Sequence, residues 1–291
     1  MKCLVIGATG LVGSAVTNSL GKADIKVYGT YVSRHAKGFM KTDIRDRKSL
    51  GKAFEKARPD VALLTAALAW VDYCETHKEE AWGINVEGTK NVARFCKEQG
   101  CKMVFISTDY VFDGLHGPYS EEGKPNPINW YGKTKLEGER IVNRLEDHLI
   151  IRTNNVFNFN EPKNFVTRLI AQNRKGIEVN VANDQYGNPT FAPNLADAIT
   201  ELLWKDRDGL YNICGKSWVT RYEFSMMLAD MLKLDKRLIS GRSTEELKQP
   251  VRRPKKAGLL VGKAEKELKT RPLFMKECIN EYVRLAAENG D

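Results

Sequence analysis

Tyr131 and Lys135 stand four residues apart in the run Trp130-Tyr131-Gly132-Lys133-Thr134-Lys135. Pro125 and Pro127 exclude a helix before about Trp130, and the spacing beyond it suits one. On that helix the phenol and the ammonium are i,i+4 neighbours on one face. A phenol has a reference pKa of about 10, so it is a poor acid–base group near neutrality. Lowering it by about three units takes roughly 4 kcal/mol of preferential stabilisation of the phenolate, at about 1.36 kcal/mol per unit. A nearby ammonium, with the positive charge of an oxidised nicotinamide, could supply that. A phenol so tuned can protonate a carbonyl oxygen as hydride reaches its carbon, while Thr108 holds the same oxygen by a hydrogen bond. The bare Tyr-x-x-x-Lys pattern is more often a surface pair, so the rest of the chain must carry the argument.

The elements that would position these groups are visible nearby. Met103 to Ile106 is an apolar run that reads as a buried strand, which puts Ser107 and Thr108 at its carboxyl end. Ligands bind at that end of open α/β sheets. Residues 2–13 read strand, glycine turn, helix, with glycines at Gly7, Gly10 and Gly13. Gly7 and Gly10 permit a tight bend and close approach to a pyrophosphate, while Gly13 lets the helix pack on the strand. The phosphates would meet the helix N-terminus, so Gly7, Thr9, Gly10, Leu11, Val12 and Gly13 are expected to hold a dinucleotide.

Ile25 to Thr30 gives the second strand. An NAD enzyme usually ends this strand in Asp or Glu, but here it runs into Tyr31-Val32-Ser33-Arg34-His35. Arg34 can pair with a 2′-phosphate and Ser33 can assist, so NADPH is the expected cofactor and NADH the alternative. Phe39 to Asp43 reads as a third strand, with Asp43 and Ile44 placed to contact adenine. Asp46 would cap a helix from Arg47 to Ala57, and Val61 to Thr65 would be the fourth strand. Ala66 and Ala67 follow at a strand end where a cofactor can lie close. Asp72, Tyr73 and Cys74 read as loop, and one long helix is expected from Glu79 to Glu98.

This alternation predicts an α/β fold, a Rossmann-like doubly wound parallel sheet. After a strand from Leu149 to Thr153 the pattern loosens. Residues 1–153 are therefore expected to form the main nucleotide-binding domain. Residues 154–291 would form a smaller mixed α/β substrate-binding region that partly returns to the sheet. Its helices are expected at Asn164 to Arg174, Ala192 to Trp204, Arg221 to Leu234 and Pro272 to Asn289. Arg253 and the lysines beside it could reach a substrate phosphate.

The 291 residues are 42% hydrophobic, enough for one large domain or one and a half. The longest apolar run, Val61 to Trp70, is too short to span a bilayer, and the N-terminus has no signal-peptide layout. A cytoplasmic protein is expected. Six cysteines lack any C-x-x-C pair, so neither a metal nor a disulfide is expected. The net charge of +9 is interspersed with acids, which suits attraction of phosphorylated small molecules better than nucleic acid.

In combination these segments resemble the extended short-chain dehydrogenase/reductase superfamily and, within it, the dTDP-4-dehydrorhamnose reductase family. The resemblance spans nearly the whole chain. It rests on Gly7-x-x-Gly10-x-x-Gly13, Ala66-Ala67, Ser107-Thr108-Asp109-Tyr110-Val111-Phe112-Asp113-Gly114, Tyr131 to Lys135, and Asp184-Gln185-Tyr186-Gly187-x-Pro189-Thr190. The segments from Ser107 to Gly114 and from Asp184 to Gly187 are specific to that branch; the glycine turn and Tyr/Lys pair belong to the superfamily.

The resemblance implies Thr108, Tyr131 and Lys135 as catalytic trio, with Tyr131 and Lys135 also touching the cofactor. Asp109 and Tyr110 would shape the sugar site, where Asn155 and Arg253 are further candidates. A nucleotide-sugar substrate, no membrane or nucleic-acid partner, and a homodimer complete the expectation. Two stretches depart from the family pattern. Leu68-Ala69-Trp70 replaces a His-Thr-Ala-type run, and Asn154-Asn155 stands where a Trp contacts the sugar. Both bear on substrate recognition rather than chemistry. The rival readings are a nucleotide-sugar epimerase or dehydratase, and a non-catalytic subunit similar to the methionine adenosyltransferase β-subunit.

Overall fold

A computed structural model describes residues 1–159 and 164–288 of the chain. The expected helix end at Asn289 lies outside the described residues. Six strands come first in the chain: β1 (Lys2–Ile6), β2 (Lys26–Tyr31), β3 (Met40–Lys41), β4 (Val61–Leu64), β5 (Lys102–Thr108) and β6 (His148–Thr153). With a seventh, Gly209–Asn212, they form one sheet in the order seventh-β6-β5-β4-β1-β2-β3, paired in parallel throughout. Strands as evenly apolar as Val61-Ala62-Leu63-Leu64 suit a sheet covered on both faces. The strand order reverses between β1 and β4, which opens a crevice at their carboxyl ends.

Nine helices supply most of the covering: α1 (Leu11–Lys22), α2 (Arg47–Ala57), α3 (Val71–Thr76), α4 (Lys78–Trp82), α5 (Thr89–Gln99), α6 (Trp130–Val142), α7 (Phe165–Arg174), α8 (Ala192–Trp204) and α9 (Arg221–Met231). On one face α1 and α8 bury Val16, Leu20, Leu195 and Ile199. On the other, α2, α5 and α6 bury Leu50, Phe54, Val92 and Val142. A third core, with Phe157, Leu169, Phe224 and Ile279, underlies the smaller body. The methionines of α9, Met226, Met227 and Met231, pack against it. Because α8 and Gly209–Asn212 return to the sheet, a cut at residue 153 divides the chain but not the main core.

Three local expectations change. The segment around Asp72 is helical (α3) rather than loop. The third strand shrinks to two residues at the sheet edge. The expected helix from Glu79 to Glu98 is split into α4, a π-helical segment at Gly83–Gly88, and α5. The cause is tertiary. Asn85 turns inward, accepting from Leu68 N–H at 2.8 Å and donating to Leu68 C=O at 2.9 Å and Thr134 Oγ1 at 3.0 Å. A single widened turn accommodates that side chain, a device common near functional sites.

Candidate active site

The start of α6 is fixed by local chemistry. Asn129 caps it, its side chain accepting from Gly132 N–H at 2.9 Å. A Cβ on Gly132 would lie 2.1 Å from the Tyr110 carbonyl, so only glycine lets α6 press this closely on the turn after β5. Tyr131 is thereby brought against that turn. Its phenol lies beside the Thr108 hydroxyl, and its ring meets Tyr110 edge-on at 5.9 Å between centroids. Thr108 also accepts from Tyr110 N–H at 3.2 Å, which orients the hydroxyl.

Lys135 lies one turn on, 3% exposed, with Nζ 3.9 Å from the centre of the Phe105 ring. Burial brings its ammonium down to about 7, and Glu139, a further turn along, acts in the opposite direction. Burial likewise pushes the Tyr131 phenol above its ordinary value, against the effect of the Thr108 hydrogen bond. The lowering of the phenol expected from the helix spacing is not present in the folded chain, where burial of the phenol dominates. Tyr131 is instead a protonated group across the neutral range, the form a general acid requires.

The glycine turn is as close as the sequence demanded. Gly7 has φ +90°, and a Cβ there would come within 2.8 Å of Ala66 N. On Gly13 a Cβ would lie 2.1 Å from the Gly7 carbonyl. No side chain caps α1 at Gly10, so the amides of its first turn, including Leu11, Val12 and Gly13, are left for an anion. Ala66 adjoins this turn, bonded to Ile6 C=O at 3.0 Å, and Ala67 is exposed beside it. Arg34 reaches back to donate to the Thr9 carbonyl and lines an open groove with Thr9, His35 and Phe39. Ser33 is exposed next to it. Lys135 Nζ has no hydrogen-bond acceptor among the described residues, an orphaned cation in reach of the crevice. A dinucleotide fits these features.

Two cofactor candidates are placed differently. The Asp43 carboxylate is gripped by Arg45, at 3.1 Å from Nε and 2.7 Å from Nη2. The Ile44 side chain turns into the core, 3% exposed. Ile44 packs against Gly88 and Asp43 pairs with Arg45, so both side chains are engaged locally.

On the substrate side Asp109 is 1% exposed. It accepts from Asn154 Nδ2 at 2.5 Å and Gly258 N–H at 3.1 Å, and burial raises its carboxyl to about 6. It also accepts from the Thr108 hydroxyl at 3.3 Å, and so joins three loops beneath the site. Asn155 adopts φ +44°, a conformation asparagine tolerates, and its Oδ1 accepts from Arg221 Nη2 at 3.0 Å. Arg253 bonds Asp72 at 2.7 Å. Its neighbour Lys255 pairs with Asp184 and Glu245.

A cavity of about 260 Å³ opens between Leu11 at the α1 terminus and Asn155, Phe165, Arg168 and Arg221. The sequence reading missed Arg221, which acts with Arg253 on the half-buried Tyr110. It sits at the first turn of an ordinary helix, and no local pattern marks it. No local pattern marks Glu139 either.

The chain matches the RmlD substrate binding domain over residues 1–287. It is similar to a dTDP-4-dehydrorhamnose reductase of Clostridium acetobutylicum whose structure is solved, with 31% identity and a TM-score of 0.90, covering 99% of this chain and 100% of that one. A dTDP-4-dehydrorhamnose reductase of Bacillus anthracis, solved in complex with NADP, has 27% identity and a TM-score of 0.89 over 98% and 100%. The methionine adenosyltransferase 2 subunit beta of Danio rerio is 30% identical over 91% of this chain and 84% of its own. Spanning the glycine turn, the Thr108, Tyr131 and Lys135 trio and the second-half cavity alike, the match means that this chain belongs to the RmlD substrate binding domain family.

Proposed function

We propose that this protein reduces the 4-keto group of a nucleotide-activated 6-deoxy sugar with NADPH, dTDP-4-dehydrorhamnose being the foremost candidate and dTDP-L-rhamnose the product. At the coarser level the chain is an NAD(P)H-dependent oxidoreductase of the sugar-nucleotide reductase kind. The observation that carries the reading is the phenol of Tyr131 set beside Thr108 at the carboxyl end of β5, with Lys135 one turn away.

The chain's own residues divide the work. The first turn of α1 and the backbone at Gly7 and Gly10 receive the pyrophosphate, and Arg34 the 2′-phosphate. Lys135 donates to a ribose hydroxyl, which satisfies its orphaned ammonium. Bound NADPH supplies the hydride. Thr108 orients the substrate oxygen, and Tyr131 gives its phenolic proton to that oxygen as charge develops there. Arg221, with Asn155 and Arg168 around the same cavity, offers positive charge for a diphosphate. The six cysteines are unpaired and buried, which supports a reducing compartment and a cytoplasmic site. Among the described residues no helix is long and apolar enough to cross a membrane. A homodimer belongs to the same proposal.

Transfer of label settles the reaction class. NADPH deuterated at nicotinamide C4 should deliver deuterium to C4 of the sugar, read by mass spectrometry and NMR. Deuterium elsewhere, or none, would refute the reading. A second reading, a non-catalytic subunit, draws on the likeness to the zebrafish subunit. The complete Thr108, Tyr131 and Lys135 set weighs against it.

A further inference from the structure

Beyond the trio, α6 carries a third group on the same face. Glu139 follows Lys135 by four residues, as Lys135 follows Tyr131, and it is 6% exposed. Its two oxygens are fully engaged. Arg152 grips both, Nε to Oε1 at 2.9 Å and Nη2 to Oε2 at 2.7 Å, and Ser107 Oγ donates to Oε1 at 2.5 Å. Ser107 and Arg152 are register partners on β5 and β6, so the sheet itself presents the two donors side by side. Phe105, two residues before Ser107 and on the same face of β5, supports Lys135 from below. The sheet thus offers one ring for the lysine and one polar pair for the glutamate, at the spacing of one helical turn.

A buried carboxylate without partners takes up a proton and loses its charge. The bidentate guanidinium and the Ser107 hydroxyl supply those partners to both oxygens of Glu139. We propose that Glu139, held by Arg152 and Ser107, is a positioning residue that keeps Lys135 charged and ready to bind the cofactor. The inference rests on the reading of Lys135 as a cofactor-binding lysine. Burial is what drives Lys135 toward its neutral form, and Glu139 is the group that opposes this.

The remaining groups around α6 act elsewhere. Asp109 and Tyr110 from the turn after β5, and Cys74 from α3, act on Tyr131. Glu75 of α3 accepts from Trp130 N–H, and Asn85 of the π segment binds Thr134. Arg152 on β6 is spent on Glu139.

The test is NADPH affinity as a function of pH, followed by cofactor fluorescence on the full-length protein. Wild-type affinity should fall as pH rises and Lys135 loses its proton. In Glu139→Gln the fall should begin about one unit lower, giving about tenfold weaker binding than wild type above the transition. Glu139→Asp, which keeps the charge, should follow the wild-type curve. Glu139→Gln with Arg152→Gln removes the pair together, so no buried guanidinium is stranded if the single variant misfolds, and it should give the same displacement. Superimposable curves for the wild type and the Gln variants would overturn the inference while leaving the cofactor reading intact. Absence of NADPH binding by the wild type at every pH would overturn both.

Discussion

Arg253 and Asp72 lie 181 positions apart in sequence, and their side chains meet at 2.7 Å. This ion pair ties the segment after the second half's last strand to α3, across from Tyr131. Nearby, Asn129 Nδ2 donates to the Arg252 carbonyl at 3.1 Å and fastens the same segment to the cap of α6. The C-terminal strap is thus anchored on the helices that frame the catalytic trio.

Asp72 is partly exposed, so the pair adds little to global stability, within about 1 kcal/mol. Asp72→Asn frees the Arg253 guanidinium without deleting it. If Arg253 engages a substrate phosphate, Asp72→Asn should leave KM for the nucleotide sugar within about twofold, while Arg253→Met should raise it about tenfold, the loss expected for one charged hydrogen bond. Equal effects of the two would mean that Arg253 serves only to hold the strap.

Arg221 separates binding from chemistry. Removing its cation next to Asn155 should raise KM for the nucleotide sugar about tenfold or more in Arg221→Ala, with NADPH affinity unchanged, because charged hydrogen bonds are worth about 1.5–3 kcal/mol. Steady-state kinetics with a cofactor titration on the same protein checks both halves. A loss of NADPH affinity would place Arg221 on the wrong side of the cleft.

Much of this was legible in the sequence, and the boundary between what was and was not is physical. The glycine turn, the Asp46 cap of α2 and the span of α8 from Ala192 are written in local signals: φ-permissive glycines, side-chain caps, and Pro193 in a first helical turn. The start of α6 follows from Pro127 and Asn129 in the same way. The π segment was hidden because its cause, Asn85 bonding to Leu68 and Thr134, needs three distant pieces of chain. The same holds for Asp109, whose one oxygen accepts from Asn154 and Gly258 and the other from Thr108. Spacing put Tyr131 and Lys135 on one face correctly. It could not foresee that burial would push the phenol up rather than down.

The Asp109 carboxyl has a distinct pH signature. Its ordinary value is 3.8 and the folded chain raises it to about 6 through burial. The folded state therefore holds the proton more tightly, so this group's stabilising contribution is complete below pH 3.8 and disappears as pH rises through about 6. Relative to Asp109→Asn, the wild type should lose about 3 kcal/mol of stability between those limits, a linkage of about 1.36 kcal/mol per unit. Urea unfolding of both proteins at several pH values reads the difference. A constant gap would show that Asp109 titrates as it does in the unfolded chain.

Cofactor choice turns on Arg34. In Arg34→Ala the KM for NADPH should rise about tenfold and that for NADH should change by less than about twofold, since only the former carries the 2′-phosphate. Parallel changes in both would assign Arg34 to holding the Thr9 carbonyl alone.

The most direct test of the account is NADPH oxidation by the purified protein with dTDP-4-dehydro-6-deoxy-L-mannose, beside Tyr131→Phe. Turnover by the wild type is predicted, with a loss of about 10²–10⁴-fold in the variant and NADPH binding retained, the range for removal of a general acid. Wild-type turnover unaffected by Tyr131→Phe would contradict the assignment of Tyr131 as the proton donor. Absence of turnover in the wild type, with NADPH bound, would contradict dTDP-4-dehydrorhamnose as the substrate.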